Sequence, residues 1–146
     1  MDELSRETSP DSGATDRTFD AAGNVATRTD ARGQLATYTY DALNRVTRIQ
    51  WSDQVHTFAY DAGANGIGRL TGYTDPSGST SLAYDVQGRV VSETRTIAGR
   101  GYTTAYAYDA AGRLASITYP TGRIVRMSRD AAGRVSQVES QAGGLT

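Results

Sequence analysis

Residues 106–114 read Tyr106-Ala107-Tyr108-Asp109-Ala110-Ala111-Gly112-Arg113-Leu114, and the fold is decided there. Aromatic residues alternate before an Asp, a Gly follows three positions later, and an Arg and an aliphatic residue come next. Alternation with a period of two marks a strand. An Asp accepts hydrogen bonds from backbone N–H groups a few residues on, and Gly supplies positive φ. Asp-x-x-Gly therefore predicts a type I turn closed by a G1 bulge. The phrase recurs as Tyr84-Asp85-Val86-Gln87-Gly88-Arg89-Val90 and Arg129-Asp130-Ala131-Ala132-Gly133-Arg134-Val135. It returns as Tyr40-Asp41-Ala42-Leu43-Asn44-Arg45-Val46 and, more loosely, as Phe19-Asp20-Ala21-Ala22-Gly23-Asn24-Val25. Asn44 in the place of Gly agrees with the turn, because Asn tolerates the left-handed region best among residues with a Cβ. At Tyr60-Asp61 the phrase is stretched: Gly68-Arg69-Leu70 arrives four residues late. Asp2-Glu3-Leu4-Ser5-Arg6 is a seventh copy, with Met1 where the aromatic should stand. The seven Asp positions are separated by 18, 21, 20, 24, 24 and 21 residues.

A second series of turn signals lies between these. Its members are Ser9-Pro10-Asp11-Ser12-Gly13, Thr29-Asp30-Ala31-Arg32-Gly33, Trp51-Ser52-Asp53-Gln54 and Thr74-Asp75-Pro76-Ser77-Gly78. Ile97-Ala98-Gly99-Arg100-Gly101 and Tyr119-Pro120-Thr121-Gly122 continue it. From the last residue of each to the following repeat Asp is 7 or 8 residues. Each unit thus holds two strands and two turns, a β-hairpin repeat. After the main turn the alternation is less clean, as a bulge that shifts register produces. The expected fold is all-β: about seven repeats over residues 1–140, with 141–146 beginning a further one, in about fourteen strands of one antiparallel sheet. Each repeat adds about 10 Å of sheet. So long a sheet should curl or spiral rather than lie flat.

Composition says the same. The 146 residues carry 15 cations, all Arg, against 16 acids and one His, for a net charge of −1. Cysteine is missing, which excludes a disulfide framework, a thiolate nucleophile and a Cys-based zinc site. Hydrophobic residues make up 38%, below the roughly 45–50% of a globular domain. Nine Tyr and 16 Gly nevertheless set the chain apart from disordered sequences. A single layer with wet faces fits both facts. No apolar run approaches a membrane span, and no charged-then-apolar start marks a signal peptide.

Asp20, Asp41, Asp61, Asp85, Asp109 and Asp130, with Gly23, Asn44, Gly68, Gly88, Gly112 and Gly133, read as structural turn residues. Neighbouring turn carboxylates about 10 Å apart would approach inverting-glycosidase geometry, but a catalytic pair should break the pattern and these repeat it. The Arg after each Gly is matched by an Asp, so no nucleic-acid footprint remains. His56 is alone, which leaves no His-metal cluster, and its alternation with Phe58 and Tyr60 makes it a packing residue. Trp51 sits at a strand end and reads as packing ahead of a ligand platform. Gly63-Ala64-Asn65-Gly66-Ile67-Gly68 lacks phosphate-loop spacing and reads as an enlarged turn. The period does not fit calcium-binding nonapeptides. No cofactor, metal or catalytic residue is expected. Tyr38, Tyr40, Phe58, Tyr60, Tyr84, Tyr106 and Tyr108 form rows that pack across strands, or alternatively offer a face to glycans.

Tyr-Asp-x-x-Gly-Arg-Leu/Val every twenty-odd residues resembles the YD repeat of the Rhs family, which includes bacterial polymorphic toxins, wall-associated repeat proteins, the cocoon components of insecticidal toxin complexes and the teneurins. The resemblance runs from Met1 to about Ser140. It implies a ribbon of β-sheet spiralling into a hollow shell, often around a toxic C-terminal domain, in a protein secreted, held at the cell surface or wall, or delivered to another cell. It implies no activity for this segment. The family's shell core ends in a self-cleavage signature with Asp-Pro and a following Gly-Leu. Asp75-Pro76 is a mid-repeat turn and Gly144-Leu145 has no Asp-Pro before it, so self-cleavage is not expected. The chain starts and stops inside repeats and is therefore expected to be a segment of a longer bacterial protein. Its expected partners are flanking repeats of that parent, an encapsulated toxin, and glycans on the alternative reading. Its open sheet edges would make an isolated piece self-associate.

Overall fold

The computed structural model describes residues 5–11 and 13–143, and within them it contains strands and turns but no helix. The strands are β1 Ser5–Ser9, β2 Gly13–Phe19, β3 Val25–Thr29, β4 Leu35–Tyr40, β5 Val46–Gln50, β6 Val55–Tyr60 and β7 Leu70–Asp75. They continue as β8 Gly78–Tyr84, β9 Val90–Ile97, β10 Arg100–Tyr108, β11 Leu114–Thr118, β12 Ile124–Arg129 and β13 Val135–Gln141. The 13 strands follow one another in chain order as one antiparallel sheet that does not close on itself. The copy proposed at Asp2 lies outside the described residues. The chain divides into two compact units. One comprises Met1–Ala59 and Tyr73–Ser77, the other Tyr60–Gly72 and Gly78–Thr146.

In the first unit, Tyr38 stands opposite Ile49, and Ile49 opposite His56, which makes one row across β4, β5 and β6. The other face carries Thr18, Thr27, Thr37 and Gln50 in register. The Thr18 and Thr27 hydroxyls are 2.6 Å apart. The second unit repeats the division. Tyr106, Ile117, Val125 and Ser140 line up across β10 to β13, while Ser81, Thr94 and Thr103 line up on the opposite face. Side chains directly opposite one another are the unit of sheet stabilisation, so each face is a set of rows rather than a packed interior.

The register shifts once at each of five main turns. Thr39 pairs with Arg48 but Tyr40 pairs with Val46, which leaves Thr47 as the extra residue. The same step occurs between Thr18 and Phe19, Ala83 and Tyr84, Ala107 and Tyr108, and Ser128 and Arg129. The extra residue always lies after the turn, where the alternation falters.

This architecture has almost no core. Ala36, 4% exposed, is the single buried apolar residue among those described, and no large side chain is fully buried. The low apolar content therefore follows from thinness: a strand in one layer can only half-bury its side chains. Truncating Ile117, half-buried on β11, should cost about 1–2 kcal/mol rather than the roughly 2–5 kcal/mol of an interior aliphatic. Urea unfolding of Ile117→Ala measures the difference.

Candidate functional site

The chemistry-bearing residues of the sequence gather along the row of main turns. Each turn is built the same way. The Asp C=O accepts from the Gly or Asn three residues on, and the Asp N–H donates to the C=O of the residue after that, as in Gly112 N to Asp109 O (2.9 Å) and Asp109 N to Arg113 O (2.8 Å). This is a type I turn with a G1 bulge. The Asp carboxylate adds a second layer. Oδ1 of Asp109 accepts from the Ala111 and Arg113 N–H groups, both at 2.9 Å, and Oδ2 accepts from Arg113 Nε at 2.8 Å. Asp41, Asp85 and Asp130 repeat all three bonds with their own Arg at lengths of 2.7–3.0 Å. At Asp20 the carboxamide of Asn24 takes the place of the guanidinium, at 3.1 Å. Asn44 occupies the glycine position with φ of 59°.

The stretched turn keeps this ending and replaces its middle. Asp61 N still donates to Arg69 O at 3.1 Å, and Asp61 Oδ1 accepts from Gly68 N at 2.6 Å. Arg69 turns back on the loop, with Nη1 donating to Asn65 O and Ile67 O, both at 3.1 Å. Ile67 at its tip is exposed.

Three turns are also tied to the next repeat by a tyrosine hydroxyl. The Tyr40 hydroxyl donates to Val25 O (2.8 Å), Tyr84 to Leu70 O (2.5 Å) and Tyr108 to Val90 O (2.7 Å). In every case the acceptor is the aliphatic residue just after the preceding repeat's turn. Arg129, where the phrase would have Tyr, reaches the equivalent carbonyl of Leu114 through Nη2 at 3.2 Å, while its Nε is buried without a hydrogen-bond partner. The Arg of one repeat covers the Tyr ring of the next: Arg89 lies 4.4 Å from the Tyr108 centroid and Arg69 lies 5.6 Å from that of Tyr84. A guanidinium held this close to a ring adds cation–π attraction. The sequence alone did not reveal the hydroxyl bond, because its acceptor is a carbonyl 14 to 18 residues away.

Tyr38, Tyr40, Phe58, Tyr60, Tyr84, Tyr106 and Tyr108 are all half-buried. Trp51 meets His56 edge-on, with ring centroids 5.0 Å apart. Beside Trp51, between the β3–β4 and β5–β6 turns, clefts are lined by Gln34, Gln50, Gln54, Asp30 and Asp53. The mid-repeat turn at Asp30 carries its own carboxylate cap, to Arg32 N and Gln34 N at 2.9 Å.

These bonds hold the turn carboxylates ionised. The Arg45, Arg113 and Arg134 backbone N–H groups push Asp41, Asp109 and Asp130 below the ordinary carboxylate value, against some desolvation. For Asp20 the Asn24 carboxamide is the main cause. At Asp85 desolvation is the largest influence and acts upward, but the hydrogen bonds from Arg89 outweigh it. Desolvation raises the Tyr40 and Tyr106 hydroxyls, keeping them protonated. A carboxylate so occupied is a poor proton donor. Among the described residues no group of three His, Cys, Asp or Glu could hold a metal ion.

The family model described as RHS Repeat matches residues 19–50, 65–100, 94–124 and 108–146, together more than half of the chain. No curated protein matches the sequence. In fold the chain is similar to the crystal structure of TcdB2-TccC3 (TM-score 0.84, 21% identity, covering 97% of this chain and 9% of that one). It is similar as well to TcdB2-TccC3-Cdc42 (TM-score 0.83, 21% identity, 97% and 8%) and to the Photorhabdus luminescens Tc holotoxin pore (TM-score 0.81, 21% identity, 97% and 8%). The chain spans less than a tenth of the length of those proteins.

Two outcomes follow from the turn row. Tyr108→Phe, which removes the bond to Val90 O, should cost about 0.5–1.5 kcal/mol. Tyr106→Phe, whose hydroxyl makes no hydrogen bond among the described residues, should cost less, and paired urea titrations separate them. The turn Asp residues have folded values below the unfolded 3.8. Their stabilisation is therefore complete above that value and is lost as pH falls through the folded one. Melting temperature should drop on acidification below about pH 4, and Asp109→Asn, which still caps the turn, should flatten that drop.

Proposed function

The chain belongs to the RHS repeat family, and we propose from that membership that it is a non-catalytic structural segment of a repeat shell. It would be wall for a compartment that encloses a C-terminal toxin or presents it for secretion and delivery between competing cells, at the surface or outside a bacterial cell. The observation that carries this reading is the fate of its reactive side chains. The turn carboxylates are spent on backbone N–H groups and the following Arg or Asn, and the Tyr40, Tyr84 and Tyr108 hydroxyls on the neighbouring repeat. A wall needs such repeat-to-repeat contacts. An active site needs groups left free to change protonation or partner. The fold likeness to the TcdB2-TccC3 structures supports the same reading. In the parent protein, the segment C-terminal to the repeats should resist protease while the sheet is intact and be digested once the sheet is opened by acid. Equal digestion before and after opening counts against enclosure.

A second reading, an extracellular adhesion or carbohydrate-binding module, is favoured by the Trp51 clefts, where an indole stands among three Gln and two Asp side chains. Aromatic faces flanked by amides and carboxylates suit sugar rings. Retention of the chain on a glycan array, abolished by Trp51→Ala, would favour this reading over the wall; absence of retention would remove it.

A further inference from the structure

Glycine at the end of the main turn does more than supply a positive φ. Beside Gly112 (φ 78°), the space a Cβ would fill lies 3.0 Å from Arg89 Nη1, which comes from the preceding repeat. At Gly133 the same space is taken by the Arg113 guanidinium, and at Gly88 by that of Arg69. At these three turns the Arg that leaves one turn therefore lies across the glycine of the next. Gly23 and Gly68 have open space beside them. Asn44 breaks the pattern, and so does its neighbour. The residue at the end of the preceding turn is Asn24 rather than Arg, and Asn24 Nδ2 donates to Asn44 Oδ1 at 2.9 Å. A short carboxamide meets a short carboxamide where, at Gly88, Gly112 and Gly133, a long guanidinium lies beside a glycine.

We infer that where the residue after a main turn reaches the next turn, as Arg69, Arg89 and Arg113 reach Gly88, Gly112 and Gly133 and Asn24 reaches Asn44, it is a key that selects that turn residue: Arg favours Gly, and Asn accepts Asn. Order along the array is then specified by side-chain volume between neighbours, independently of whether the array encloses a cargo. Exposure shows where such a contact is made. Among the salt-bridged Arg side chains of the main turns, Arg45 is 23% exposed, Arg89 30% and Arg113 43%, whereas Arg134 is 80% exposed. Val135 and Val138 beside it are 48% and 61% exposed.

Double-mutant cycles on the full chain test the key. Gly112→Asn should lower the melting temperature by about 5 °C or more, and adding Arg89→Asn should recover at least half of the loss. Asn24→Arg should be destabilising alone and relieved by Asn44→Gly, which keeps the test open if Gly112→Asn fails to fold. Arg134→Asn should shift the melting temperature far less than Arg89→Asn, although both Arg residues pair with their own Asp. Additive shifts in the cycles, or equal losses at Arg134 and Arg89, would overturn the key.

Discussion

The turn Asp carboxylate has two oxygens and divides them between two tasks, and the rest of the structure depends on that division. One oxygen gathers two backbone N–H groups and closes the turn. The other grips the guanidinium of the residue four positions on. A free Arg side chain has many rotamers and loses considerable entropy when fixed. Held by its own Asp, it is already extended toward the next repeat, where it lies over a Tyr ring and across a Gly. Exposed ion pairs contribute little by themselves. Here the pair matters as a means of orientation.

A one-layer sheet makes such orientation necessary. With Ala36 as the single buried apolar residue among those described, the sheet cannot draw on an interior, and stability must come from contacts between neighbours. Those contacts are the ladder hydrogen bonds, the rows of half-buried side chains and the Tyr-hydroxyl bond to the previous repeat. Each reaches one repeat and no further, the arrangement in which stability becomes a sum of local terms and nearest-neighbour terms. The same locality lets individual repeats vary. Arg129 replaces a Tyr and still reaches Leu114 O, and the enlarged loop at Asp61 keeps its ending at Gly68 and Arg69.

Much of this was legible in the residues. The Asp-x-x-Gly phrases define the turn type, Asn44 adopts the positive φ that Asn tolerates, and the faltering alternation after the turn corresponds to the extra residue of the bulge. These features are readable because they depend on atoms within five residues of one another. The site was legible only as a set of positions. The tyrosines were visible as rows, but the hydroxyl acceptor is a backbone carbonyl, and a carbonyl carries no sequence signature. One signal did exist: Asn24 and Asn44 depart from the phrase together, one repeat apart, in the two positions that touch.

The sequence by itself determined the unit: a hairpin of two strands, its turn chemistry and its recurrence, since these follow from φ preference, local hydrogen bonding and a period of two. Only the tertiary structure decided which side chains of one unit meet which atoms of the next. Those meetings depend on register, and register is set by the bulge at each turn together with the lengths of the strands that carry it. That is why an Arg and a Gly about twenty residues apart form one contact, although nothing in either phrase alone pairs them.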